Sequence, residues 1–148
     1  MKKEIILPKA PAPVGAYKAV VVRQGIGFVS GQFPMLDDDL FFLGKVGAEL
    51  TVEQAQEATA IAAKNVLAQI RDVTENFKTL DGLLRLDGYV ASAADFFNQP
   101  TVLDAASEIF SECLGEKGHH ARAAFSVSQL SMDSPVELCV SFTTRSCL

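Results

Sequence analysis

The chain has no tryptophan, two tyrosines, two histidines and three cysteines in its 148 residues. Three thiols cannot all pair with one another, and Cys113, Cys139 and Cys147 form neither a Cys-x-x-Cys nor a zinc spacing. That excludes a disulfide-stapled scaffold, and the reduced thiols point to a cytoplasmic location. The two histidines are adjacent, His119-His120. Adjacent histidines rarely point at one ion, and no carboxylate is spaced to complete a site, so no metal is expected. Asp37–Asp39 lacks the EF-hand pattern and reads as a polar turn. No apolar run approaches the ~20 residues of a membrane span. Lys2, Lys3 and Glu4 interrupt any signal-peptide core, so neither a membrane partner nor a secretory leader is expected. Basic residues are scarce too: 13 Lys and Arg against 18 Asp and Glu give a net charge of −5. Without a stripe of clustered cations, a nucleic-acid partner is disfavoured. P-loop, Gly-x-Ser-x-Gly and His-Glu-x-x-His motifs are also missing.

What is present is ordinary globular material, 49% apolar and 21% charged. A chain of this length buries roughly 68–70% of its unfolded surface, and residues 1–148 read as one domain. Pro8, Pro11 and Pro13 make an extended leader up to Gly15. Two short strands, Lys18–Arg23 and Ile26–Ser30, flank a Gln24-Gly25 turn, and a short apolar segment, Leu40–Leu43, follows the aspartates. Thr51 and Gln54 have capping-box spacing at the head of a helical stripe that reaches about residue 77. Leu84, Leu86, Gly88 and Val90 alternate at strand period. A second helix runs from near Pro100 to Leu114, with Gly115 as its stop. Ala123–Leu130 and Val136–Thr144 are the last strands, antiparallel across a short loop and either neighbours or one strand apart. Right-handed crossovers put both helices on one face of the sheet.

Alternation predicts one apolar set, Phe125, Val127, Leu138, Val140 and Phe142, facing the helices. The opposite, semi-polar set holds Arg122, Ala124, Ser126, Ser128, Glu137, Cys139, Ser141 and Thr143. A bare sheet face of that kind is most economically covered by another copy of the chain. Arg122 and Glu137 stand out, because a charge at the edge of a buried strand is costly to desolvate unless paired. They read either as structural ion-pair members or as an anion clamp and a proton-transfer group. Strand length puts them roughly 20 Å apart in one copy, so they can meet only across an interface between copies.

Four segments, in order, resemble the RidA/YjgF reactive-intermediate deaminase family, long labelled endoribonuclease L-PSP-like. They are Pro11-Ala12-Pro13-Val14-Gly15-Ala16-Tyr17, Phe28-Val29-Ser30-Gly31-Gln32-Phe33-Pro34, His120-Ala121-Arg122 and Val136-Glu137-Leu138. Gly44–Gly47, Tyr89–Ser92 and Gln99–Leu103 resemble a longer-chain subgroup. The resemblance implies a chorismate-mutase-like α+β fold, a mixed β-sheet with two helices on one face, and a homotrimer with clefts between subunits. It implies hydrolysis of a small enamine or imine acid such as 2-aminoacrylate to a keto acid and ammonia, without metal or organic cofactor. Arg122 matches the arginine that binds substrate carboxylate, and Glu137 the acidic residue that activates water. Tyr17, Ser30 and Gly31 match cleft-lining residues. The chain departs from the family pattern at His120, Ala123 and Ala124, and at Asp104, which stands in place of an asparagine. An added negative charge there weakens anion binding. A non-catalytic trimer that binds small carboxylates is the main rival reading. RNA cleavage rests only on the old label, and the acidic charge counts against it.

Overall fold

Thr51 starts the longest helix as its spacing predicts. In the computed structural model, which describes residues 4–145, its Oγ1 accepts from Gln54 N–H at 3.1 Å. Gln54 Oε1 accepts from Thr51 N–H at 2.9 Å. Two of the four unpaired amides of a helix start are thereby satisfied reciprocally. Lys2, Lys3 and Cys147 lie outside the described residues. Helix α1 spans Val52–Val73 and ends short of residue 77. Glu75, Asn76 and Phe77 follow with φ of 51°, 58° and 70°, a left-handed run that cannot continue the helix. Thr74 locks that end by donating to Ile70 O at 2.6 Å and accepting from Phe77 N–H at 3.2 Å.

Strands β1 (Val20–Arg23) and β2 (Ile26–Gln32) form a hairpin across Gln24 and Gly25, both with positive φ. Two-residue strands β3 (Met35–Leu36) and β4 (Asp39–Leu40) form a second hairpin, and Asp37 and Asp38 take its left-handed turn positions. The segment expected at 40–43 is thus mostly loop, with Phe41 and Leu43 exposed. Strand β5 (Leu80–Ala91), helix α2 (Gln99–Leu114) and strand β6 (Ala121–Val127) form a βαβ unit with β5 and β6 parallel. Strand β7 (Val136–Thr144) closes the sheet, whose order is β1-β2-β7-β5-β6. The last two strands therefore lie one strand apart, on either side of β5.

Both helices cover one face. Val66, Leu67 and Ile70 of α1 and Leu103 and Phe110 of α2 pack over Leu86, Val90, Leu138 and Phe142 in one buried cluster. Gly88 lets α2 approach, since a Cβ there would overlap Leu103. A register shift between Leu83 and Arg85 turns Leu83 inward and leaves Leu84 exposed, against the expected alternation.

The expected facing of β6 is reversed. Arg122, Ala124 and Ser126 pair with Leu86, Gly88 and Val90, the inward residues of β5, and so point to the helix side. Phe125 points to the open face, stacked on Tyr89 at 5.1 Å between ring centroids. Partial exposure of β6, at the sheet edge, explains why its apolar residues do not mark the core side. The open face carries Val21, Ile26, Phe28 and Phe125, all exposed, beside Glu137, Cys139 and Ser141.

Candidate active site

Glu137 and Gly31 meet on the open face. In β2, Val29 pairs with Val140 and Gln32 with Leu138, so Ser30 and Gly31 together oppose Cys139 as a β-bulge. Ser30 Oγ donates to Lys18 O at 2.7 Å, which ties the bulge to the approach to β1. A Cβ at position 31 would overlap the Glu137 carboxylate, so glycine is required here for space. Glu137 is half-buried and, among the described residues, has no ion pair and no side-chain hydrogen bond. Burial pushes its carboxyl above the usual carboxylate range. Cys139 beside it is pushed up to about 11, by burial first and then by the charges of Glu137 and Asp87. Tyr17 is 47% exposed and shares a shallow recess of about 20 Å³ with Pro13 and Gly31.

Helix α1 fixes this half of the site through residues the sequence reading passed over. Gln69 Nε2 donates to Pro11 O at 2.7 Å and lies 3.4 Å from Gln32 Oε1. Gln32 Nε2 in turn donates to Ser30 O at 3.0 Å. Asn65 Nδ2 donates to Phe33 O and Met35 O, both at 2.9 Å. The signal was available: two buried amides interrupt the inward stripe of an otherwise aliphatic helix.

Arg122 lies on the other side of the sheet. Its Nη1 donates to Asp104 Oδ1 at 2.9 Å and to Ser107 Oγ at 3.1 Å, and Nη2 to Pro100 O at 3.4 Å. Ser107 Oγ is also 2.9 Å from His120 Nε2, while His120 Nδ1 donates to Gly118 O at 2.6 Å. The sequence reading did not single out Ser107, although its placement three residues after Asp104 puts both on one helix face. Arg122 is one-quarter exposed and borders an open recess of about 320 Å³ with Ser111 and His119. The guanidinium is thus partly neutralised within its own fold, yet it keeps Nε–H and one Nη2–H without a partner among the described residues. Guanidinium N–H groups of this kind bind carboxylates through charge-assisted hydrogen bonds.

In one copy, Arg122 and Glu137 do not converge. Arg122 is level with Leu86 and Val140, and Glu137 with Tyr89, a three-residue offset across two strand spacings. That places them about 10 Å apart in each direction and on opposite faces, closer than strand length alone suggested. Tyr17, Ser30, Gly31 and Glu137 form one group and Arg122, Asp104, Ser107 and His120 another. Among the described residues, His119 and His120 are in no group of three His, Cys, Asp or Glu side chains that could hold a metal ion.

A family model described as "YjgF/chorismate mutase-like, putative endoribonuclease" matches residues 2–144. The chain belongs to this family. The α+β fold, with two helices on one face of a mixed sheet, is the family's chorismate-mutase-like architecture. Protein TCP17 of Trypanosoma cruzi is 33% identical over 135 residues, covering 90% of this chain and 84% of the relative. The RutC family protein PYRAB12510 of Pyrococcus abyssi is 27% identical over 139 residues, 93% and 94% of the two chains. Among solved structures, the Agrobacterium tumefaciens protein Atu1372, of unknown function, superposes with a TM-score of 0.85 at 31% identity, covering 88% of this chain and 83% of that one. Membership of the YjgF family supports a small-molecule deaminase or binding role. No helix among the described residues is long and apolar enough to cross a membrane.

Proposed function

We propose that this protein is a cofactor-free hydrolase of small enamine or imine acids, working as a cytoplasmic homotrimer with its sites between copies. The substrate carboxylate lies on the free edge of Arg122. Water adds to the protonated imine carbon, and Glu137 takes the proton that the new C–O bond releases. The same carboxyl returns the proton to nitrogen, the C–N bond breaks as the C=O bond forms, and the hydroxyl proton passes through the carboxylate to the departing ammonia, so that a keto acid and ammonium leave. Tyr17, Ser30 and Gly31 line the cleft that holds the reacting carbon.

The observation that carries this reading is the state of Glu137. A structural carboxylate at a strand edge is normally paired. This one is half-buried, has no partner among the described residues and is held above its usual pKa by burial, the direction that suits a group taking up a proton. A non-catalytic carboxylate binder is favoured instead by the prior engagement of Arg122 with Asp104. The decay of enzymatically generated 2-aminoacrylate separates the two. Wild type should accelerate it, and Arg122→Ala should abolish the acceleration while the assembly stays intact on size exclusion. A wild-type protein that binds pyruvate but leaves the decay rate unchanged would establish the binding module.

A further inference from the structure

Helix α2 and the approach to β6 bring together a serine and a histidine that the imine reaction does not use. Ser107 Oγ lies 2.9 Å from His120 Nε2, and His120 Nδ1 lies 2.6 Å from Gly118 O. A carbonyl oxygen only accepts, so Nδ1 carries the ring hydrogen. In the neutral ring Nε2 is therefore bare, and the Ser107 hydroxyl donates to it. Buried Phe110 packs edge-on against the imidazole, with ring centroids 5.5 Å apart and planes at 81°. The Ser107 oxygen has two lone pairs. One accepts from Arg122 Nη1 at 3.1 Å, and the other makes no hydrogen bond among the described residues. Ser107 is partly exposed and borders an open recess of about 320 Å³ with Ser111, His119, His120 and Arg122.

We infer that Ser107 is a nucleophile with His120 as its general base, and that this recess is a further active site, one for small carboxylic esters. A nucleophile, a base and a third group that orients the base stand within hydrogen-bond reach of one another, as nucleophilic catalysis by serine requires. The third group is the Gly118 carbonyl, where a carboxylate is more usual. The Arg122 cation beside Oγ favours the alkoxide as its proton leaves. All five lining side chains are polar, which suits a short acyl group. In the first half-reaction, the free lone pair of Oγ bonds to the ester carbon as the hydroxyl proton passes to Nε2. The adduct collapses, the C–O bond to the alcohol breaks, and Nε2–H protonates the departing oxygen. Water then attacks the acyl-serine. Its proton passes to Nε2 and from there to Oγ as the acid leaves. Every group named lies in one copy of the chain, and Glu137 takes no part, so this activity stands or falls apart from imine hydrolysis. His120 is also a position at which the chain departs from the family pattern.

Two probes test the site. Wild type should release nitrophenolate from p-nitrophenyl acetate faster than buffer does. An alkyl fluorophosphonate, which forms a phosphonyl-serine that does not turn over, should label Ser107, as located by peptide mass spectrometry. Ser107→Ala should lose both the label and the ester turnover. His120→Gln should slow both by about 10²–10⁴-fold, with the circular dichroism spectrum of wild type. Wild-type label on another residue in place of Ser107, or release no faster than in buffer, would overturn the proposal and leave the Ser107–His120 contact as a tie between α2 and β6. These two wild-type results decide even where a variant fails to fold. Ser107 labelled equally fast in a folded His120→Gln would overturn it as well.

Discussion

Glu137 is where the chemistry of a single residue is most exposed to test. Burial raises its carboxyl pKa in the folded chain. The folded state therefore retains a proton that the unfolded chain has already released, and the conformational stability contributed by this group is full below the ordinary carboxylate range. It is lost as pH rises through the raised, folded-state value. Glu137→Gln removes that dependence. The variant should show a flatter stability–pH profile in urea titrations, greater stability than wild type at neutral pH, and imine hydrolysis slower by about 10²–10⁴-fold. Equal activity would show that the proton goes elsewhere. Both charged residues were legible in the sequence because each interrupts a strand that is otherwise small or apolar. The need for Gly31 as the floor beneath the Glu137 carboxylate was not, since it depends on a bulge that sets two residues of β2 against one of β7. Nor was the partnership of Arg122 with Ser107, because a serine on a partly buried helix face carries no distinctive pattern.

At the scale of elements, local chemistry was a good guide wherever it decided the outcome. The Thr51–Gln54 box, the Gln24-Gly25 turn and the stop at Gly115 are side-chain and glycine effects that act within a few residues. Thr51→Ala should cost about 1 kcal/mol in urea unfolding and leave the site geometry untouched. A loss within error of zero would mean that packing alone sets the start of α1. The guide failed where tertiary position decides. Alternation in β6 is real, but Phe125 faces outward because an edge strand bonded only to β5 inherits its facing from the parallel register, whatever its own apolar pattern. The start of β5 at Leu80 and its bulge near Leu84 were hidden for a similar reason, since a bulge breaks the period-two pattern from which a strand is read.

Across the whole molecule, the candidate residues Arg122 and Glu137 lie on opposite faces of one sheet, and the open face exposes Phe28, Ile26, Val21 and Phe125. Exposed aromatic and aliphatic side chains on a continuous sheet face favour association with further copies. In the proposed trimer, Arg122 of one copy and Glu137 of the next share a cleft that a single copy lacks. Complementation between inactive chains tests that claim most directly. Arg122→Ala and Glu137→Gln should each be inactive when assembled alone. Unfolded together in equal amounts and refolded, random assembly gives about a quarter of all clefts an intact arginine from one copy and an intact glutamate from another. The account predicts recovery of about that fraction of wild-type 2-aminoacrylate hydrolysis in the mixed assembly. Mixed assemblies as inactive as either variant alone would contradict it.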